Sequence, residues 1–154
     1  MTAKNWLKGL LAGFIATVVL SVLMLIKQHM GVVPQFNPIE MLTKMAGGAM
    51  PGAGWLPHFL IGTVVWGSLF PLFDALVPGS SHWLKGVLFG ICAWILMMVL
   101  PMPMAGAGLF GLTLGIMVPI ATLILHLIYG AILGGIYGLE HPDPLPHFQL
   151  THRF

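Results

Sequence analysis

Polar and apolar positions in this chain are sorted into blocks. Four long apolar runs, about residues 6–26, 55–73, 83–100 and 118–139, alternate with shorter stretches that hold nearly all the charges. Each run is close to the roughly 20 residues that a helix needs to cross a hydrocarbon layer about 30 Å thick. Helix is the form the runs must take, because lipid satisfies no open backbone group. The pattern predicts an all-α membrane protein with four transmembrane helices.

The first run follows Lys4 and contains Lys8, the charge pattern of a secretory signal. An internal repeat speaks for a retained helix instead. Trp6-Leu7-Lys8-Gly9-Leu10-Leu11-Ala12-Gly13 recurs as Trp83-Leu84-Lys85-Gly86-Val87-Leu88-Phe89-Gly90, identical at six of eight positions. The second and fourth runs also correspond. Pro57-His58-Phe59-Leu60-Ile61-Gly62 parallels Leu125-His126-Leu127-Ile128-Tyr129-Gly130, and Pro51 and Pro119 each stand seven residues before the histidine. One helical hairpin used twice enters the membrane in the same sense both times. The expected symmetry is a pseudo-twofold axis along the membrane normal.

Basic residues set the expected orientation. Lys4, Lys8, Lys85 and Arg153 fall on one side, Lys27 and Lys44 on the other. This places both termini in the cytoplasm of a bacterial inner membrane and the loops 27–54 and 101–117 outside. In the first loop, Asn37 is a good N-cap, Pro38 suits the first helical position and Glu40 the first turn. A short helix over about 38–46 follows, ending at Gly47-Gly48. The second loop is uncharged and rich in glycine, so it dips into the bilayer edge or packs on the bundle. Residues 1–139 form the bundle; 140–154, with Pro142, Pro144 and Pro146, form an extended polar tail.

Composition narrows the function classes. Only 6% of the 154 residues are charged, 58% are hydrophobic and the mean hydropathy is +0.97, where soluble domains run near 25% charged. A soluble enzyme, a nucleic-acid binder and a disordered chain are excluded, since each needs far more polar surface. The net charge of +2 is too small to argue for a charged partner. Cys92 is the only cysteine, so neither an intramolecular disulfide nor a cysteine metal cage is possible. Ionisable residues cluster at span ends, in loops and in the tail, so the carboxylates and lysines of pumps and hydrolases are missing from mid-span. No Ser-His-Asp set, phosphate loop or dinucleotide fingerprint can be assembled.

Two intramembrane histidines remain. His58 and His126 occupy matching repeat positions and so similar depths. Imidazoles facing each other from two helices are what a b-type haem needs, and Gly62, Gly130 and Gly134 would clear space for a flat macrocycle. The same residues also suit plain helix packing: glycines four apart allow close approach, and a histidine can bond to a carbonyl or to Thr17, Ser21, Thr63 or Thr122. At most one haem b is implied. Methionine supplies a weaker metal candidate, with Met41 and Met45 on one face of the loop helix offering thioethers to Cu(I); apolar filling is the competing use. His141, His147 and His152 are too widely spaced for a metal motif.

The Trp-Leu-Lys-Gly starts, the stretch Pro57-His-Phe-Leu-Ile-Gly-Thr-Val-Val-Trp-Gly67 and the loop Gly106-Ala-Gly-Leu-Phe-Gly111 resemble a family of small bacterial four-helix membrane proteins catalogued as a domain of unknown function. The likeness covers about Trp6 to Leu139. It implies four helices and an inner-membrane location and supplies no catalytic residues. The resulting expectation is a non-enzymatic protein of the lipid bilayer, an accessory or assembly subunit of a respiratory or other redox complex, bound to other membrane subunits or to itself. Cu(I) handling and a small-solute channel or carrier are the alternatives.

Overall fold

A computed structural model describes residues 3–48 and 50–139. Helix α1 spans Ala3–His29, α2 Pro38–Met45, α3 Trp55–Leu76, α4 His82–Val99 and α5 Met117–Leu139. A turn of helix at Pro101–Met104 extends α4, and a 3-10 turn covers Leu109–Leu114. Four helices are long and apolar enough to cross a membrane: Ala3–His29, Trp55–Leu76, His82–Met104 and Met117–Leu139. They overrun the apolar runs by a few residues, because the backbone ladder continues through polar positions such as Lys27 and Asp74. No strand occurs among the described residues.

Small residues decide which helices touch. The buried face of α1 is Gly9, Ala12, Gly13, Ala16, Thr17, Ser21 and Met24, while Leu7, Leu11, Phe14, Val18, Val22 and Leu25 point outward, as lipid requires. A side chain at Gly13 would begin 2.8 Å from the Gly67 Cα and 3.0 Å from the Gly62 oxygen of α3. The α4–α5 contact has the same character: Gly86 meets Gly130 and Gly134, and Gly90 meets the backbone of His126 and Gly130. Apolar helices have no hydrophobic reason to associate in lipid, so van der Waals contact across such glycines is the main attraction. Helix α1 also packs on α5, joining the two pairs into a bundle.

Two side-chain clusters fill the bundle. The one toward the termini contains Ala12, Ala16, Phe70, Phe89, Tyr129, Leu133 and Tyr137, with Phe89 edge-on to Trp66, Phe70 and Phe73 at 5.2–5.7 Å. The distal cluster contains Val33, Phe36, Met98, Met102, Ala107 and Val118. Both long loops fold onto it. Lys27 Nζ donates to the Val33 and Phe36 carbonyls, and Asn37 Oδ1 accepts from the Ile39 and Glu40 amides at the start of α2. Of the two arrangements expected for the uncharged second loop, packing on the bundle is the one found: Phe110 lies 5.5 Å from Trp94 and Gly111 abuts Met102.

Helix α3 is irregular. Over Leu60–Trp66 it widens to a π-helix, a form that occurs mostly as single-turn bulges and often beside functional sites. The local causes are visible. Thr63, Val64 and Val65 are β-branched and poor helix formers, Pro71 brings no N–H to the ladder below them, and the Tyr129 hydroxyl takes the Gly62 carbonyl at 2.6 Å.

Candidate functional site

Between the two clusters lies a cavity of about 270 Å³. Helix α1 contributes Thr17, Leu20 and Met24; α3 contributes His58, Ile61, Gly62 and Trp66; α5 contributes Thr122, Leu125, His126 and Tyr129. Its fourth side is Ala93, Leu96 and Met97 of α4, and Pro38, Met41 and Leu42 of α2 close the distal end with Met104. Because α3 meets α4 mainly along Gly67–Leu76, their distal halves diverge. The cavity is flanked there by Leu96 and Leu100, which are half exposed on the outer surface of the bundle.

The cavity brings His58 and His126 together, and each ring is hydrogen-bonded to the protein through one nitrogen. Ser21 has one hydroxyl proton and donates it to the Thr17 carbonyl at 2.7 Å. With that proton on the Thr17 carbonyl, the Ser21 oxygen, 3.0 Å from His58 Nε2, accepts, an arrangement in which His58 carries its proton on Nε2 and keeps a lone pair on Nδ1. His126 Nδ1 is 2.7 Å from the Thr122 carbonyl, which can only accept, so its proton is on Nδ1 and the lone pair on Nε2. Neither remaining ring nitrogen has a hydrogen-bond partner among the described residues. His58 is held edge-on between Trp55 and Phe59, at 5.6 and 5.7 Å.

The other wall hydroxyls are committed to the protein. Thr17 donates to the Gly13 carbonyl at 2.7 Å, Thr122 to the Val118 carbonyl at 2.7 Å, and Tyr129 to the Gly62 carbonyl. The two threonine bonds to the i−4 carbonyl are how a hydroxyl satisfies itself inside an apolar helix. Thr63, one of the hydroxyls considered as a histidine partner, has a buried oxygen without a hydrogen bond.

The glycines proposed to flank a macrocycle are placed differently. Gly130 and Gly134 face the α4 backbone, and Gly62 faces the Thr17 side chain while also lining the cavity. The spacing of four that suggested a flat ligand is here taken up by helix packing at Gly130 and Gly134. Met41 and Met45 meet outside the cavity. Met41 reaches the cavity, and both line a separate open groove of about 400 Å³ with Met104, Glu40 and Lys44. Of the expected site residues, then, His58, His126, Gly62 and Met41 meet at the cavity, and Gly130, Gly134 and Met45 do not. His141, His147 and His152 lie outside the described residues.

A second polar cluster was not anticipated. Asp74, at the end of α3, and Lys85, in the first turns of α4, are both 8% exposed. Lys85 Nζ donates to the Asp74 carbonyl at 2.8 Å and lies 3.6 Å from its carboxylate, which also meets His82 Nδ1 at 2.7 Å. The available signal was opposite charges on either side of the 77–81 turn in a nearly charge-free stretch.

Four helices long and apolar enough to cross a membrane surround a histidine-lined cavity, an architecture consistent with an integral membrane protein. The chain belongs to a family of unknown function, DUF6789, whose model matches residues 3–147. No curated protein and no solved structure matches it.

Proposed function

We propose that the chain is a non-enzymatic accessory subunit of a membrane redox assembly, and that it holds a small ligand between His58 and His126. One observation carries this reading: histidines from two different helices line one cavity, and each has a ring nitrogen without a hydrogen-bond partner among the described residues. Polar atoms facing an apolar cavity gain by finding partners, and two spare lone pairs on one cavity suit a bound group. In this reading the protein resides in a bacterial inner membrane with cytoplasmic termini, as its basic residues favour. It arose by duplication of a hairpin, which the sequence repeat and the paired glycine contacts of α1 with α3 and of α4 with α5 support.

A b-type haem and a smaller ligand make different demands here. His126 is oriented as an axial ligand is, with Nδ1 on a carbonyl and Nε2 free. His58 is turned the other way, with Nε2 on Ser21. The cavity volume also falls below the roughly 300–1,000 Å³ of drug-sized sites, and a porphyrin is a large ligand by that measure. The geometry therefore favours a ligand smaller than haem. Protein purified from native membranes is expected to release a small organic molecule on denaturation, absent from a His58→Ala/His126→Ala variant, and to show no Soret band. A Soret band lost in that variant would reassign the site to haem. A monomer that releases nothing would overturn the reading.

The groove lined by Met41, Met45 and Met104 favours a second reading, a Cu(I)-handling protein, since three thioethers suit that soft ion. Metal analysis decides it: Met41→Leu with Met45→Leu must abolish bound copper.

A further inference from the structure

Resting on the proposal that the His58–His126 cavity holds a ligand, we infer that its ligand is an uncharged, lipid-soluble hydroquinone, bound through the hydroxyl protons that the oxidised quinone lacks. The argument is a count of donors and acceptors on the wall. The hydroxyls of Thr17, Thr122 and Tyr129 all donate to backbone carbonyls. Ser21, behind His58, spends its proton in the same way. What the wall has to spare is the lone pair on His58 Nδ1 and the lone pair on His126 Nε2. Among the lining residues, the side-chain donor without a partner among the described residues is the Trp66 indole N–H.

A ligand that meets this wall must bring its own donors. Two hydroxyls on an aromatic ring supply them, and a hydroxyl oxygen can accept from Trp66. A quinone offers carbonyl oxygens only. To engage them, His126 would have to move its proton to Nε2 and surrender the Thr122 carbonyl, and His58 would have to surrender Ser21, leaving buried groups unpaired. An anion meets the same wall of lone pairs. A cation would enter an apolar cavity with no carboxylate on its wall, which is costly without a paired charge. The rest of the lining is apolar, and the divergence of α3 from α4 gives a hydrocarbon tail a way out past Leu96 and Leu100 into lipid.

Isothermal titration of the detergent-solubilised full chain under argon tests this with three probes of one shape: a decyl-substituted benzohydroquinone, its dimethyl ether and the matching benzoquinone. The hydroquinone is expected to bind at least about tenfold more tightly than the other two, the weight of one or two hydrogen bonds. His126→Phe and His58→Phe should each weaken the hydroquinone about tenfold while leaving the ether unchanged, a pattern that mere loss of fold would not give. If the ether or the quinone binds as well as the hydroquinone, and binding is lost in the phenylalanine variants, the donor rule is overturned while the cavity remains a ligand site. If no probe binds, this inference is overturned. Release of a different organic molecule from native protein would still sustain the ligand-site reading, and release of none would remove that too.

Discussion

Gly130→Leu is expected to separate α4 from α5 and abolish the tertiary fold while leaving the helices intact. A Cβ at Gly130 would run into the Gly86 carbonyl and sit 3.1 Å from the Gly90 Cα. Both obstacles are backbone, so neither can swing aside, and the only relief is for the helices to move apart. Overpacking by one or two carbons costs about 1–3 kcal/mol in a close-packed interior. Gly130→Ala should lose about that much, and leucine substantially more. Gly135 supplies the matched control on the same helix, because nothing lies within 4 Å of its Cβ position. Gly135→Ala should be neutral or gain up to about 1 kcal/mol from helix propensity. Thermal unfolding in detergent, followed by near- and far-ultraviolet circular dichroism, checks the series. Equal stability of the Gly130 and Gly135 alanine variants would mean the glycine contact does not hold the bundle.

The second large effect concerns the Asp74–Lys85 pair. Lys85→Met is expected to cost up to about 3–5 kcal/mol, since breaking a buried pair leaves the Asp74 charge to the His82 imidazole without the lysine's positive charge. The lysine also satisfies the Asp74 carbonyl, one of the four that the end of α3 leaves without an amide. Adding Asp74→Leu should recover most of the loss, because an apolar pair of similar volume has no desolvation cost to offset. The comparison of single with double variant, by denaturation in the same detergent, is the decisive readout. A double variant no better than the single would show that the lysine acts by filling space.

The sequence made the membrane architecture legible because its signals are local. Run length and the scarcity of charge announce the four helices, and Asn37-Pro38 announces the start of α2 through capping chemistry that needs no tertiary contact. The histidine pair could be singled out for the same reason, as the polar exceptions in two apolar runs. How they are used was hidden. A glycine at spacing four reads alike whether it faces a ligand or a helix, and only the approach of α4 shows that Gly130 and Gly134 are taken. Asp74 and Lys85 are unremarkable span-end charges until the 77–81 turn brings them together and buries both. The tautomers of His58 and His126 depend on Ser21, 37 residues distant, and on the direction in which a side chain points.

The π turn of α3 left no trace in the hydropathy pattern, yet it sets the aim of His58. Such a turn is an α-helix carrying one residue too many. Deleting a residue within Leu60–Trp66 would restore ordinary winding and rotate the segment Trp55–Phe59 by roughly 100° about the helix axis, with an axial shift of about 1.5 Å. His58 would then leave the cavity for another face of the bundle, with every other wall residue unchanged in identity. The meeting of the two imidazoles is thus a matter of one codon's worth of phase, and a single-codon insertion or deletion is enough to create or dissolve it.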